Sequence, residues 1–246
     1  MIQKWWPGHQ DSFAWKIHGH SRDAKILTTT FSKKRSIQMP EGNSTGQTVA
    51  GLILAAGESS RMGKPKQLLP VKGMPLICTM VAEALASKLD KIVVVLGHQA
   101  QKIMHALEND GLLTKVRVVY NELYRLGMGT SIRAGMQQIE RHCDHVMIIL
   151  ADMPHIDSNL INRLLTKYIH SGKDLGAVKI QGRRSHPVIF GKRYFPELLR
   201  LEGDTGGREI FAAYRNSALL VDAGPSYREI DLDTPEDYDK LGRTEL

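Results

Sequence analysis

From about residue 50 the chain alternates short, continuous apolar runs with amphipathic stretches, and this alternation constrains the fold more than any other feature. Residues 49–55, 91–96, 116–120 and 145–151 read as strands, largely continuous in apolar residues with Lys91, Arg117 and His145 as the polar exceptions, as expected of a sheet covered on both faces. Between and after them, residues 75–88, 99–108, 130–141 and 158–170 carry the helical period. Shorter strands are expected at 177–180, 187–190, 218–221 and 227–232, further helices at 194–201 and 207–216, and a last helix from Pro235. Strands buried on both faces need helices above and below. The pattern therefore predicts a single three-layer, Rossmann-like α/β domain with a mostly parallel sheet. Ligands of such sheets sit at the carboxyl ends of the strands, near a switch point. The places to look are just after Ala55, Leu96, Tyr120 and Leu150.

Residues 1–49 do not share this pattern. They hold all three tryptophans (Trp5, Trp6, Trp15), the basic run Lys33-Lys34-Arg35 and a turn-rich stretch from Met39 to Gln47. They read as an N-terminal extension, poorly ordered or outside the core, with the folded domain at 50–246. The extension also carries seven of the 33 Lys/Arg and three of the 26 Asp/Glu, so more than half of the net charge of +7 lies there. The domain itself is only mildly basic. That suits a protein handling small anions and does not point to nucleic acid. No apolar run is long enough to cross a bilayer, and no secretory leader is evident. The two cysteines, Cys78 and Cys143, form neither a disulfide framework nor a zinc pattern. They read as small buried hydrophobes in a reducing, cytoplasmic protein.

The first loop carries the chemistry. Leu54-Ala55-Ala56-Gly57-Glu58-Ser59-Ser60-Arg61-Met62-Gly63-Lys64-Pro65-Lys66-Gln67 leaves a buried strand with small residues, two hydroxyls and three cations. Small residues at 55–57 let a ligand approach the backbone, whose N–H groups can cradle phosphate oxygens. Arg61 can present two donors to one phosphate, and Lys66 adds a mobile point charge. The string is neither the dinucleotide fingerprint nor a Walker loop, since Lys64 is followed by Pro65. At the next strand end, Gly97 and His98 lie on the same expected edge. Asp152 follows the strand at 145–151, where a carboxylate can serve as a Mg²⁺ ligand or as a turn or helix-cap residue. Thr130 or Ser131 can likewise cap the helix they begin.

Taken together these segments resemble the molybdenum cofactor nucleotidyltransferases, the MobA-like branch of the transferases built on the nucleotide-diphospho-sugar transferase fold. The match extends through Gly127-Met-Gly-Thr-Ser-Ile-Arg-Ala-Gly135, Ala151-Asp-Met-Pro154, His186-Pro-Val-Ile-Phe190, Gly203-Asp-Thr-Gly-Gly-Arg208 and Asp231-Leu-Asp-Thr-Pro-Glu-Asp237. It spans residues 50–242 and none of the first 49. The resemblance implies attack of an acceptor phosphate on the α-phosphorus of a nucleoside triphosphate, with pyrophosphate leaving. It places Arg61, Lys66 and Asp152 in catalysis. Leu54, Ala55, Ala56, Gly57, Ser59, Ser60, Arg61, Lys66, Gly97, Gly129, Thr130 and Ser131 would bind the nucleotide. The acceptor would meet His186, Asp204, Thr205, Gly206 and Arg208. Asp152 and Asp233, with Asp231 as rival to the latter, would hold Mg²⁺, with Mn²⁺ as the alternative metal.

Within that family the form Leu54-Ala55-Ala56-Gly57 resembles the cytidylyl-transferring branch, since the Cβ of Ala56 narrows the space for a purine. CTP is therefore favoured over GTP or ATP, and molybdopterin or its molybdenum-loaded form is the expected acceptor. Other phosphate acceptors remain open, as does a non-catalytic role as a chaperone delivering the cofactor to an apo molybdenum hydroxylase. Neither nucleic acid nor membrane is an expected partner.

Overall fold

The computed structural model describes residues 46–59, 62–63, 65–204, 206–224, 227, 232 and 234–244, all within one compact unit, Gln38–Leu246. The expected extension lies outside the described residues except for 46–49. The elements run β1 (Val49–Ala55), β2 (Pro70–Val71), β3 (Met74–Pro75), α1 (Leu76–Ala86), β4 (Lys91–Leu96), α2 (Ala100–Asn109), β5 (Arg117–Tyr120), α3 (Met128–Ile139), β6 (His145–Leu150) and α4 (Ser158–Ser171). They continue as β7 (Leu175–Ile180), β8 (Arg183–Gly191), α5 (Phe195–Leu198), α6 (Arg208–Ala213), β9 (Leu219–Asp222) and α7 (Pro235–Thr244).

Seven strands form one sheet in the order β5-β4-β1-β6-β8-β7-β9. All run parallel except β8, which is antiparallel to both of its neighbours. Every residue of β1 is buried, as its uninterrupted apolar run requires. Its alternate side chains serve different layers. Val49, Ile53 and Ala55 join the cluster built with α1, α2 and α4. A Cβ on Gly135 of α3 would come within 2.2 Å of Leu52, so α3 lies directly against the opposite face. These are the three layers expected.

The chain passes from β1 outward to β4 and β5, then returns to β6 on the other side of β1. The switch point therefore lies between β1 and β6. Register brings the four expected loops to one edge: Ala55 is level with Leu96, Leu96 with Tyr120, and Leu54 with Leu150. The helices are bounded as the sequence chemistry requires. Asp157 caps α4 by accepting from the Leu160 N–H at 2.8 Å, and Gly172 ends it in the left-handed region at φ +65°.

Some boundaries differ from the sequence reading. The helix expected over 194–201 is only the four residues of α5, preceded by a 3-10 turn and followed by non-helical 199–201. The small hairpin β2–β3 was not anticipated. The strand expected at 227–232 lies mostly outside the described residues. Cys78 and Cys143 are free and buried. Burial pushes their thiols up to about 12 and about 11, so they pack as hydrophobes. Among the described residues, no helix is long and apolar enough to cross a membrane.

Candidate active site

The loop after β1 is held from beneath by a residue to which sequence reading assigned no role. Gln67 is only 3% exposed. Its amide nitrogen lies 3.4 Å from the Ala55 carbonyl and 3.2 Å from that of Gly57. Its amide oxygen accepts from Ser59 Oγ at 3.4 Å, and Ser59 Oγ accepts from the Lys66 N–H at 3.2 Å. One buried amide thus ties both ends of the loop together. Its only signal in the sequence is a polar residue immediately before Leu68-Leu69, which a solvated loop would also show.

Leu54 and Ala55 belong to the sheet: the Leu54 carbonyl accepts from the Ala151 N–H at 3.1 Å. Ala56 is buried, and its carbonyl accepts from the His98 N–H at 3.1 Å. At Gly97 a Cβ would fall 2.6 Å from Tyr124 and 2.8 Å from the Ala56 carbonyl. Gly97 therefore lets three loops close on one another. Ser60, Arg61, Thr205, Asp231 and Asp233 lie outside the described residues.

The central contact joins two catalytic candidates 86 residues apart. Lys66 Nζ lies 2.5 Å from Asp152 Oδ2, with the side chains 13% and 22% exposed. Asp152 stands at the carboxyl end of β6, and its carbonyl accepts from the Leu232 N–H at 3.1 Å. Each of these charges compensates the other at the switch point. Across the rim, Arg125 Nε donates to Glu58 Oε1 at 2.7 Å, which holds that carboxyl below its ordinary range.

The segments read as nucleotide-contacting and acceptor-side also touch. The Gly129 N–H donates to the Gly203 carbonyl at 2.8 Å, and the Met128 N–H donates to Asp204 Oδ1 at 3.3 Å. A Cβ on Gly127 would lie 2.3 Å from the Gly203 carbonyl carbon, and one on Gly129 would lie 2.9 Å from the Glu202 backbone. The glycines therefore admit the 202–204 backbone onto the start of α3. Asp204 helps cap that helix from another segment.

Thr130 and Ser131 face inward. Both are 4% exposed, and the Asn121 amide nitrogen donates to their hydroxyls at 2.9 and 3.0 Å. The Thr130 hydroxyl in turn lies 2.9 Å from the Leu123 and Gly127 carbonyls. Asn121 also accepts from the Leu123 N–H at 3.0 Å. These hydroxyls set the shape of the 121–130 loop and do not occupy the N-cap position, because Thr130 and Ser131 are already the third and fourth residues of α3. Asn121 is a second residue that sequence reading missed.

On the acceptor side, the register of Ile148 with Val188 carries His186 to the carboxyl end of β6. Its Nδ1 is buried and has no hydrogen-bond partner among the described residues. Burial pushes its pKa down to about 4 and Arg184 adds to this; the Ile148 carbonyl and Asp152 oppose it, while Arg208 pushes further down. The imidazole is therefore neutral at pH 7. Arg184 was not anticipated. Its guanidinium lies 5.2 Å over the ring of Phe211, on the helix that Arg208 begins. Gly206 adopts φ +54°, and a Cβ there would lie 3.2 Å from Met128 Sδ. His98, a looser candidate, lies beside Gln99 with ring nitrogen and amide nitrogen 3.2 Å apart.

Among the described residues, no group of three His, Cys, Asp or Glu side chains is close enough to hold a metal by itself. The donor set at Asp152 still suits Mg²⁺, a hard ion that usually takes one or two carboxylates and fills its remaining positions with phosphate oxygens and water.

Residues 51–218 match the family described as the MobA-like NTP transferase domain. The purine catabolism protein PucB of Bacillus subtilis is 30% identical over 78% of this chain and 95% of its own. The nicotine blue oxidoreductase of Paenarthrobacter nicotinovorans is 30% identical over 78% and 96%. The molybdenum cofactor cytidylyltransferase of Escherichia coli is 25% identical over 76% and 92%. Among solved structures, Rv0371c of Mycobacterium tuberculosis superposes with a TM-score of 0.69 at 25% identity, covering 80% of this chain and 98% of that one. A second structure of that protein is described as a complex with manganese. The family match covers more than half of the chain, and the chain belongs to the MobA-like NTP transferase family and is a nucleotidyltransferase.

Proposed function

We propose that the protein transfers CMP from CTP to the terminal phosphate of molybdopterin or the molybdenum cofactor, releasing pyrophosphate. The observation that carries this reading is the Lys66–Asp152 pair at the switch point, with His186 within electrostatic reach of Asp152. An acceptor phosphate oxygen attacks the α-phosphorus, a new P–O bond forms, and the bond to the β-phosphate oxygen breaks. The acceptor is already an anion, so no covalent enzyme nucleophile is required. Alignment and charge neutralisation supply the rate.

In this reading Lys66 leaves Asp152 for the triphosphate, where its charge balances the pyrophosphate as it departs. Arg61 shares that task. Asp152 and Asp233 would hold Mg²⁺ or Mn²⁺, which would supply positive charge against the phosphate oxygens. Ser59, Ser60 and the backbone at 56–57 cradle phosphates in a loop braced by Gln67. Gly97 and Gly129 admit the close backbone approaches around the nucleotide, while Thr130 and Ser131 hold the 121–130 loop in shape. Arg184 and Arg208 attract the acceptor phosphate beside His186, with Asp204, Thr205 and Gly206 as further acceptor contacts. Mg²⁺-dependent transfer requires only residues 50–246, and residues 1–49 are dispensable for it.

The preference for CTP rests on the Ala56 form of the loop and on the likeness to a cytidylyltransferase. The deciding experiment is a panel of CTP, GTP and ATP with the purified protein, Mg²⁺ and molybdenum cofactor, measuring pyrophosphate release. Fastest release with CTP is expected. Release with another acceptor phosphate but none with the cofactor would remove the proposed acceptor.

A further inference from the structure

Behind the Asp152 loop, the exposed face of α4 borders a second cleft of about 810 Å³, and neither Lys66, Asp152 nor His186 lines it. The volume lies within the roughly 300–1,000 Å³ common for small-molecule sites. Three cations face it: Lys72 from the β2–β3 turn, and Arg163 and Lys167 from successive turns of α4. Among the described lining residues Asp157 is the one acid, and its carboxylate caps α4. Arg163 and Lys167 therefore outweigh it on the α4 side of the cleft.

Two of the donors are held in place. Arg163 Nη1 donates to the Ala223 carbonyl at 2.8 Å, leaving four of the guanidinium's N–H donors beyond that contact. Gly224 makes this approach feasible: at φ +89° it carries no Cβ, and one built there would fall 2.8 Å from Nη1. Asn162 Oδ1 accepts from the Lys88 N–H at 2.7 Å, which fixes the amide so that its NH₂ is the end left for other partners. Pro154 and Tyr227 supply apolar surface beside these polar groups. A planar guanidinium fixed by a backbone carbonyl, with the Lys167 ammonium one helical turn further along α4, matches phosphate oxygens. The apolar surface and the volume match an organic body attached to that phosphate.

We propose that this cleft is a second ligand site, separate from the transfer centre, for a phosphorylated organic anion of nucleotide size. The test is calorimetric titration of the full chain carrying Lys66→Ala, without divalent metal, using ATP, adenosine and inorganic pyrophosphate as probes. ATP should bind, and adding Arg163→Ala with Lys167→Ala should weaken it at least tenfold. Lys167→Glu alone, at an exposed position, should weaken it by a similar factor and serves as the second variant should the double substitution impair folding. Adenosine and pyrophosphate should each bind at least tenfold more weakly than ATP. ATP binding that stays within twofold in the Arg163 and Lys167 variants would overturn the proposal. Adenosine binding as tight as ATP would also overturn it, by removing the role of phosphate. Pyrophosphate binding as tight as ATP would overturn the requirement for an organic body.

Discussion

Replacing Asp152 by Asn removes one charge and almost no volume, so it separates the two tasks assigned to this carboxylate. In the folded protein Asp152 compensates Lys66 at 2.5 Å, with side chains 13% and 22% exposed. That exposure places the pair between a surface ion pair, worth about 0–1 kcal/mol, and a fully buried one, whose disruption costs about 3–5 kcal/mol. Asn can still accept a hydrogen bond from the ammonium. The expected loss of stability is therefore about 1–2 kcal/mol, or about 2–8 °C in Tm for a domain of this size. Catalysis should suffer far more. A ligand lost from the metal, or a misplaced Lys66, removes a contact made at the charged transition state, and such contacts are commonly worth about 10²–10³ in kcat. Lys66→Met should give a loss of the same order, and the double variant should fall well short of the product of the two single losses. The assays are thermal unfolding and single-turnover pyrophosphate release across a Mg²⁺ titration. A kcat within threefold of the parent at saturating Mg²⁺, or an unchanged Mg²⁺ dependence, would refute the reasoning and leave the pair as a structural contact only.

Gln67→Leu keeps the buried volume and deletes the brace, so the Ala55 and Gly57 carbonyls lose a partner; the expected cost is about 1–3 kcal/mol by chemical denaturation, with a raised KM for the nucleotide. Arg184→Ala should raise KM for the acceptor at least tenfold and leave nucleotide affinity nearly unchanged in binding titrations, and the reverse pattern would move Arg184 to the nucleotide side. His186 has its folded pKa lowered from 6.5 to about 4, so the unfolded chain takes up the proton first as pH falls. Its contribution is complete above about pH 6.5 and is lost progressively down to about pH 4. Unfolding free energy measured over that window should fall more steeply for the parent than for His186→Gln; parallel curves would contradict the burial. A chain beginning at Met39 should unfold cooperatively and retain transfer, and loss of either would show that residues 1–38 support the domain.

The sequence by itself determined which segments become strands and which loops can carry chemistry. Four largely apolar runs read as strands, and a parallel sheet covered on both faces exposes its ligand-binding loops at one edge. Ala55, Leu96 and Tyr120 end level with one another and Leu150 within one residue of them, while β5, which carries Arg117, is only partly buried. Asp152 was legible as a candidate for the same reason, since it follows the last of those runs. Periodicity reports that a residue is buried. It does not report which distant residue it meets.

Those pairings belong to the tertiary structure. Strand order placed β6 beside β1, and only that adjacency brings Lys66 to Asp152 across 86 residues. The same holds for the 202–204 backbone, which rests on Gly127 and Gly129 at the start of α3 and caps it in part through Asp204. Gln67, Asn121 and Arg184 stayed hidden because Gln, Asn and Arg in a loop or on a short strand usually face water. Each draws its role from groups that the folded chain brings to it: the carbonyls of Ala55 and Gly57, the hydroxyls of Thr130 and Ser131, and the imidazole of His186. A buried polar group needs a partner, and partners distant in the chain are assigned by strand order and register. Local pattern carries neither.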